Sequence, residues 1–237
     1  MPNKGAAPQR DPDYGGAVTR RVNVCFHGIG TPTRELESGE APYWISQPEF
    51  LRILDALSDR HDVRVSFDDG NASDIEVALP ALQERGLRAT FFALAGRLDA
   101  PGSLSRADLR DLVAAGMTIG SHGMDHVPWR GLTPAGVSRE LLDARAQLAE
   151  AAGAPIHEAA LPLGRYDRTT LGHLRRLGYT TVHTSDRRPA RASAWLQPRH
   201  SVRSNDTCET VVRDMLTLPG VPALLYGTAV GLVKRWR

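Results

Sequence analysis

Seven short runs of apolar and β-branched residues alternate with helical patterns along this chain. The runs are candidate strands, and they lie at residues 22–26, 63–67, 89–94, 118–120, 158–161, 180–183 and 195–197. Four helical patterns, at residues 74–85, 105–115, 133–152 and 168–177, are each followed directly by glycine, as helix C-termini often are. Regular alternation of strands and helices is typical of repeated βα units. We therefore predict an α/β fold.

Length and composition predict one domain. The chain has 237 residues, of which 41% are hydrophobic, and this suffices for one α/β domain with a buried core. Residues 1–21 are rich in Pro, Gly and charge, so we expect a flexible N-terminal arm ahead of a folded domain at 22–237. The arm has no apolar segment typical of a signal peptide, which favours a cytoplasmic protein without an integral membrane segment.

Charge and cysteine content argue against two further classes of protein. The formal net charge is +2 at pH 7, so no nucleic-acid partner is expected. The only cysteines are Cys25 and Cys208, and Cys25 lies in an apolar run. No disulfide framework is indicated.

Two groups of polar residues are candidates for a metal site. Asp68 and Asp69 follow a predicted strand, and His122 and His126 form a His-x-x-x-His pair further along the chain. Aspartate and histidine bind first-row divalent metals, and of two adjacent aspartates one can bind while the other accepts a proton from water. The pattern indicates metal-assisted hydrolysis. Turn formation by Asp-Asp-Gly and a pair of solvated histidines are the alternatives for each group taken alone.

Other polar residues follow predicted strands and are expected near the same site. His27 follows the first predicted strand, and Arg199 and His200 follow the last. In barrel-like α/β proteins, reactive side chains gather at the C-terminal ends of the strands. The segment at residues 28–47 lacks a clear pattern, and loops of this length are often functional.

Three motifs in order resemble those of the polysaccharide deacetylases of carbohydrate esterase family four, the NodB-homology type. Residues 66–70 (SFDDG) are similar to the family's TFDDG motif, residues 89–92 (ATFF) to the strand that follows it, and residues 120–126 (GSHGMDH) to its GSHTxxH motif. The resemblance extends over residues 22–202. It implies a distorted (β/α)7-type barrel and a single catalytic domain.

The resemblance also implies roles for individual residues. Asp68 would be the general base, and Asp69, His122 and His126 would bind a divalent metal with water as fourth ligand. Zn²⁺ is the expected ion, with Co²⁺ or Ni²⁺ as alternatives. Gly123 stands where the family usually has Ser or Thr, which removes a hydroxyl that could support the loop but removes no ligand.

The family's third motif differs most from its usual form. It is usually Arg-Pro-Pro-Tyr-Gly, but residues 160–164 read ALPLG, without the Arg or the Tyr. That arginine normally pairs with the catalytic base, and without a cationic or hydrogen-bonding partner the pKa of Asp68 would rise. Arg199 is our candidate for the replacement, and a purely structural ion pair is the alternative.

Two histidines are candidates for the general acid. The family commonly carries this residue near the C-terminus, but a permuted branch carries it in the first strand, before a long loop. His27 fits that branch. His200 is the competing candidate, although strand alternation would point it opposite to Arg199.

Four more residues near these motifs have two interpretations each. Tyr43 and Trp44 in the long loop, and Trp129 after the second histidine, either stack on sugar faces or pack in the interior. Asp125, between the histidines, is either a partner of a metal ligand or an ordinary loop acid.

Together, the residues and the resemblance predict a hydrolase that removes an acetyl group, N-acetyl in first place, from a sugar, glycan or glycan precursor. Asp68 would take a proton from water, a backbone N–H near Leu163 or Gly164 would bind the oxyanion together with the metal, and His27 would protonate the leaving amine. The alternatives are a related C–N hydrolase acting on a non-sugar amide and a carbohydrate-binding pseudoenzyme. The expected partner is the acetylated substrate, and no oligomeric state is indicated.

Overall fold

A nearly closed, barrel-like sheet lies at the centre of the fold. The computed structural model describes residues 20–217. Their strands are β1 (Arg20–Phe26), β2 (Gly28–Ile29), β3 (Trp44–Ile45), β4 (Val63–Asp69), β5 (Ala89–Ala93), β6 (Thr118–Ser121), β7 (Glu158–Ala160), β8 (Thr181–Thr184), β9 (Ala190–Arg191), β10 (Leu196–Pro198) and β11 (His200–Ser201).

Eight strands follow one another around the barrel in the order β10-β8-β7-β6-β5-β4-β1-β11, and all neighbours are parallel. Strand β9 pairs antiparallel with β1. Residues 196–198 pair with β8, whereas residues 200–201 pair with β1 at the other edge of the sheet. One continuous stretch of chain therefore bridges the two edges, with Arg199 at its middle.

Helices connect the strands of the barrel. They are α1 (Gln47–Ser58), α2 (Leu79–Glu84), α3 (Arg106–Ala114), α4 (Pro134–Val137), α5 (Ala144–Ala152), α6 (Arg168–Arg176) and α7 (Cys208–Val211). π-Helical turns precede α2, join α4 to α5 and follow α7, at Asp74–Ala78, Ser138–Asp143 and Val212–Leu216. Short 3-10 helices cover Ala41–Tyr43, Ala95–Arg97 and Pro162–Gly164.

Local sequence explains where several helices begin and end. Ser105 caps α3 in a capping box with Asp108, and the Thr133 side chain accepts the hydrogen bond that caps α4. Helix α5 ends at Gly153, which has a φ of +63°. Glycine adopts this left-handed conformation without a steric penalty, so it terminates the helix and lets the chain turn into β7.

The predicted α/β barrel is confirmed. Each of the seven predicted strands is present, and their bounds differ from the predicted ones by two residues at most. The segment at 28–47, which carries no clear pattern, contains the short parallel pair β2 and β3. Residues 1–19 of the predicted arm lie outside the described residues, whereas Arg20 and Arg21 already belong to β1.

Side-chain alternation along the strands separates an apolar outer layer from a polar barrel interior. Val24 and Phe26 of β1 and Phe67 of β4 are buried in the hydrophobic core, where the rings of Phe26 and Phe67 stack at 5.6 Å. The residues between them point the other way, because successive side chains in a strand face opposite sides. Ser66 and Asp68 of β4 therefore lie inside the barrel, where polar groups meet.

Two expectations about composition can be compared with residues 20–217. Both cysteines in this range are free thiols, and Cys25 is buried as expected. In the same range, none of the helices combines the length and the apolar character needed to cross a membrane.

Candidate active site

A cavity of about 380 Å³ opens at the C-terminal ends of the parallel strands. Five of the six predicted site residues line it, and they are His27, Asp68, Asp69, His122 and His126. The long loop after β1 supplies residues 37–40 and Tyr43 to the same wall. The structure thus brings together residues of β4 and of the segments that follow β1 and β6, at the end of the barrel where such folds place their active sites.

A second cavity, of about 260 Å³, lies at the opposite end of the barrel. Its lining includes Arg21, Arg64 and Arg88, and none of the predicted site residues. Ser66 lines this second cavity and also accepts a hydrogen bond from Arg199 at 3.1 Å. Arg199 therefore lies in the barrel interior between the two cavities.

Asp69 and the two histidines converge on one point. Asp69 Oδ1 lies 3.5 Å from His122 Nε2 and 3.4 Å from His126 Nε2. One ligand atom from each residue lies within 4.8 Å of the other two. Among the described residues, buried Asp69 Oδ1 has no hydrogen-bond partner. The three predicted metal ligands are therefore adjacent in space.

Both imidazoles present Nε2 to this point because their Nδ1 atoms are engaged elsewhere. His122 Nδ1 lies 2.9 Å from the carbonyl oxygen of Ala160. A carbonyl oxygen can only accept, so Nδ1 carries the proton. Burial lowers the pKa of His122 to about 4, and the neutral ring keeps a lone pair on Nε2. His126 Nδ1 is likewise 2.6 Å from a carboxylate oxygen of Glu37.

This donor set fits a divalent cation. Lone pairs from two imidazoles and a carboxylate oxygen that face one another repel unless a cation lies among them. Two nitrogens and one oxygen are the ligands that zinc and neighbouring first-row metals bind in catalytic sites with an open position. Asp69, His122 and His126 are therefore the residues that can hold such an ion.

Glu37 is a site residue that the sequence did not reveal. It lies in the long loop after β1, and its second carboxylate oxygen pairs with Arg97. The length of the loop was the only sequence signal for it. Of the two interpretations of Asp125, the ordinary loop acid agrees with the structure. The Asp125 carboxylate pairs with exposed Arg139 at 2.5 and 2.8 Å.

Asp68 forms a bidentate salt bridge with Arg199. Nη1 and Nη2 of Arg199 each donate to one carboxylate oxygen of Asp68 at 2.6 Å, and both side chains are buried. Burial by itself would raise the pKa of Asp68, but the positive charge of Arg199, its hydrogen bonds to the carboxylate and the neighbouring histidines together outweigh burial. The pKa of Asp68 is therefore held well below its ordinary value, and the carboxyl is ionised at neutral pH.

The two general-acid candidates lie in different surroundings. His27 lines the cavity, with its ring 4.8 Å from that of Tyr43. His200 belongs to β11 and is not among the residues that line the cavity. Burial, with Arg187 and Arg20 nearby, lowers the pKa of His200 to about 4. His27 is thus the candidate that the structure places beside Asp68.

The three aromatic candidates also separate. Tyr43 lines the cavity. Trp44 packs over Gly28 so closely that a Cβ there would lie 2.1 Å from the indole. Trp129 is 1% exposed, and its indole N–H donates to Glu140. Trp44 and Trp129 are therefore packing residues, and of the three aromatic candidates Tyr43 is the one that lines the cavity.

The third motif forms part of the cavity wall without its usual arginine. Leu161 and Leu163 line the cavity, and Leu163 is exposed. The Gly164 N–H donates to the Leu161 carbonyl at 3.1 Å, within the local turn. The arginine that contacts the predicted base is instead Arg199, which lies between β10 and β11.

Backbone strain also concentrates in this cavity. Five non-glycine residues of the described chain have a positive φ, and three of them line the cavity: Asp69 at +77°, His126 at +56° and Leu163 at +54°. Such conformations are costly for residues with a Cβ, and they gather at functional sites. The clustering is a second feature, independent of the motifs, that makes this cavity the candidate active site.

Comparison with known proteins agrees with this site. Residues 57–182, more than half of the chain, match the family model described as polysaccharide deacetylase. The chain belongs to the polysaccharide deacetylase family. The matched range contains Asp68, Asp69, His122 and His126, but neither His27 nor Arg199.

Relatives of this polysaccharide deacetylase family member include YxkH from Bacillus subtilis (strain 168), which is named after the same family. The two chains are 27% identical over 141 residues, which is 60% of this chain and 50% of YxkH. The chain thus spans about half the length of this relative.

Two solved structures share the fold of this family member. The deacetylase PplD from Streptococcus pyogenes, in complex with acetate, superposes with a TM-score of 0.74 at 20% identity, over 84% of this chain and 99% of PplD. IcaB from Ammonifex degensii superposes with a TM-score of 0.67 at 23% identity, over 84% of this chain and 98% of IcaB. At these identities, the likeness shows the fold alone.

Proposed function

We propose that this protein is a metal-dependent deacetylase that removes an N-acetyl group from a sugar, glycan or glycan precursor. One observation carries the proposal: unpartnered Asp69 Oδ1 faces Nε2 of both histidines, and the ionised Asp68 carboxylate lies in the same cavity. An ion site beside a second, ionised carboxylate is the arrangement that metal-assisted hydrolysis requires. Membership of the polysaccharide deacetylase family supports a sugar substrate.

Asp69, His122 and His126 would hold the metal, which we infer to be zinc from the two imidazoles and one carboxylate. When bound, such an ion polarises the acetyl carbonyl and lowers the pKa of water. Co²⁺ and Ni²⁺ accept the same ligands and would be alternatives.

Asp68 is the proposed general base. Its salt bridge with Arg199 keeps it ionised and fixes its orientation, but the low pKa also makes it a weak base. A weak base suffices where the attacking water is itself acidified. In this scheme, Asp68 accepts one proton from water as the new C–O bond forms.

His27 is the proposed general acid, and the Leu163 N–H the proposed oxyanion donor. Both residues line the cavity that contains Asp68. The Gly164 N–H already donates within its turn, so it is the poorer candidate of the two. As the C–N bond breaks, protonated His27 would transfer its proton to the leaving amine, and acetate and a free amino sugar would be released.

The shape of the cavity favours a carbohydrate substrate. Tyr43 lies at the wall next to His27, where an aromatic ring can stack on the face of a sugar. A volume of about 380 Å³ is in the range of small-molecule sites, so we infer that one acetylated sugar unit enters at a time.

Acetate release from N-acetylated sugars, nucleotide-sugars, lipid-linked sugars and oligosaccharides tests the proposal. Zinc-loaded wild type should release acetate from at least one class, and Asp69→Asn and Asp68→Asn should each abolish release. Asp125→Asn is the matched control, since Asp125 lies in the same loop as the histidines but is exposed and paired with Arg139. Full activity of Asp69→Asn in the presence of a chelator would contradict the proposal.

The same experiment separates two other functions. The absence of the usual arginine and tyrosine from residues 160–164 favours a carbohydrate-binding pseudoenzyme, which would bind zinc and sugar but release no acetate. Turnover of simple amides with none of the sugars would instead indicate a C–N hydrolase of different specificity.

A further inference from the structure

We propose that Glu140 is a positioning residue that holds the loop between the two histidines and thereby sets the affinity for the metal. This inference rests on the metal site of the proposed function, and it adds a residue that contacts neither the ion nor the substrate. Glu140 lies in the π-helical turn between α4 and α5. It is 2% exposed, so its carboxylate needs partners within the protein.

The partners of Glu140 come from the histidine loop and from Trp129, three residues after His126. Its carboxylate accepts the backbone N–H of Met124 at 2.8 Å and of Asp125 at 3.3 Å, and the indole N–H of Trp129 at 3.4 Å. Met124 and Asp125 stand between His122 and His126. One buried side chain therefore fixes the backbone that joins two metal ligands.

Gly123 shows that the loop is shaped around this carboxylate. A Cβ at residue 123 would lie 2.4 Å from Glu140 Oε2, and the residue has a φ of +91°. The usual Ser or Thr of this motif would therefore collide with Glu140. The carboxylate takes the space that a residue-123 side chain would need, and it supplies the support that the missing hydroxyl does not.

The opposite edge of the loop is held by backbone alone. The carbonyl oxygens of Gly123 and Met124 accept the N–H groups of Ala95 and Gly96 at 2.9 and 3.0 Å. Among the described residues, Glu140 is the acceptor of the Met124 and Asp125 N–H groups. Without it, these N–H groups lose their acceptor and the left-handed conformation of His126 loses its support.

Some side chains orient metal ligands without contacting the ion, and their removal typically lowers metal affinity by about 10- to 100-fold. We expect Glu140→Ala to raise the zinc dissociation constant by this factor. Glu140→Gln should have a smaller effect, because an amide oxygen in the place of Oε2 can still accept from Met124 and Trp129, whereas an NH₂ group in the place of Oε1 cannot accept from Asp125. Asp143→Asn is the matched control, since Asp143 is exposed on the same turn.

Zinc dissociation constants from competition with a chromophoric chelator, and apo-protein melting temperatures, should be measured for the wild type and the three variants. We expect zinc affinity to be highest in the wild type and Asp143→Asn, lower in Glu140→Gln and lowest in Glu140→Ala. The activity of Glu140→Gln should be recovered at saturating zinc. A purely structural role would lower melting temperatures and leave the zinc affinity of folded protein unchanged, which would overturn the proposal.

The Gln variant decides the question if the Ala variant fails to fold. If the wild type binds zinc and folded Glu140→Gln binds it equally well, the role of Glu140 is refuted and the proposed function is left intact. Wild type that binds no zinc would refute both.

Discussion

The guanidinium of Arg199 donates two hydrogen bonds of 2.6 Å to the carboxylate of Asp68, although 131 positions separate the two residues. A third bond, from Arg199 to Ser66 at 3.1 Å, ties the same guanidinium to β4. Arg199 is fully buried in the barrel interior, whereas Asp68 reaches the wall of the cavity above it. The counter-ion that residues 160–164 lack is thus provided from the last strand segment of the sheet.

Removing Arg199 should destabilise the fold and raise the pKa of Asp68. A buried pair that loses one partner typically costs about 3–5 kcal/mol, because the remaining charge is uncompensated. We expect Arg199→Met to lose free energy of unfolding of this order in urea titrations. The double variant Asp68→Asn/Arg199→Met should lose less than the sum of the single variants, and additive losses would contradict the coupling.

Zinc should stabilise the protein through Asp69, His122 and His126. A ligand that binds only the folded state at 100 times its dissociation constant adds about 2.7 kcal/mol of stability. Thermal melts with added zinc and with a chelator should therefore differ for the wild type. The difference should vanish in Asp69→Asn, and a zinc effect that persists there would place the ion elsewhere.

Glu37→Gln should weaken zinc binding by about 10- to 100-fold, because the carboxylate of Glu37 orients His126 through Nδ1. Glu35→Gln is the control, since Glu35 lies in the same loop and is exposed like Glu37, whereas the contact with His126 is made by Glu37. The measurement is the zinc dissociation constant of each variant. Equal affinities in all three proteins would show that the contact between Glu37 and His126 is unimportant for the metal.

His27 and His200 should differ sharply in their effect on turnover. General acid catalysis contributes about 10²- to 10⁴-fold, so His27→Gln should lower kcat by a factor in this range. His200→Gln should leave kcat near the wild-type value, because His200 does not line the cavity. Acetate release under saturating zinc checks both, and the reverse pattern would assign the acid to His200.

His200 should instead affect how stability depends on pH. Its folded pKa of about 4 lies below the ordinary value of 6.5 because burial disfavours the charged ring. Neutral His200 therefore contributes fully above pH 6.5, and its contribution is lost as pH falls through about 4, since the unfolded chain takes up the proton first. His200→Gln should flatten the fall in unfolding free energy over this interval, as urea titrations at several pH values can determine.

The sequence predicted the strands and the strand-end residues because both depend on local pattern. Strand periodicity and terminal glycines gave the βα units, and parallel strands bring Asp68, His122 and His27 to one end of the barrel by geometry alone. Arg199 was a candidate for the same reason. Whether it pairs with the predicted base or forms a purely structural ion pair stayed open, because its partner depends on how the sheet closes.

Glu37 and Glu140 could not be predicted in the same way. Glu37 sits in a loop whose path follows no periodicity, and its contact with His126 joins positions 89 residues apart. Glu140 reads as an ordinary polar residue of a helix, and only the packing of that helix against the histidine loop makes it a buried acceptor. Both are acids whose roles arise from tertiary contacts.

The stretch that carries Arg199 also has a consequence for biosynthesis. The three proposed metal ligands emerge from the ribosome well before residues 196–201, yet Asp68 gains its counter-ion only when those residues join β8 to β1. Pairing between the first strand and the last is a contact of long sequence separation, and such contacts are slow to form. In a chain that folds as it is synthesised, the three proposed metal ligands can thus come together before the proposed base is fixed, and the proposed site is complete only once the sheet has closed.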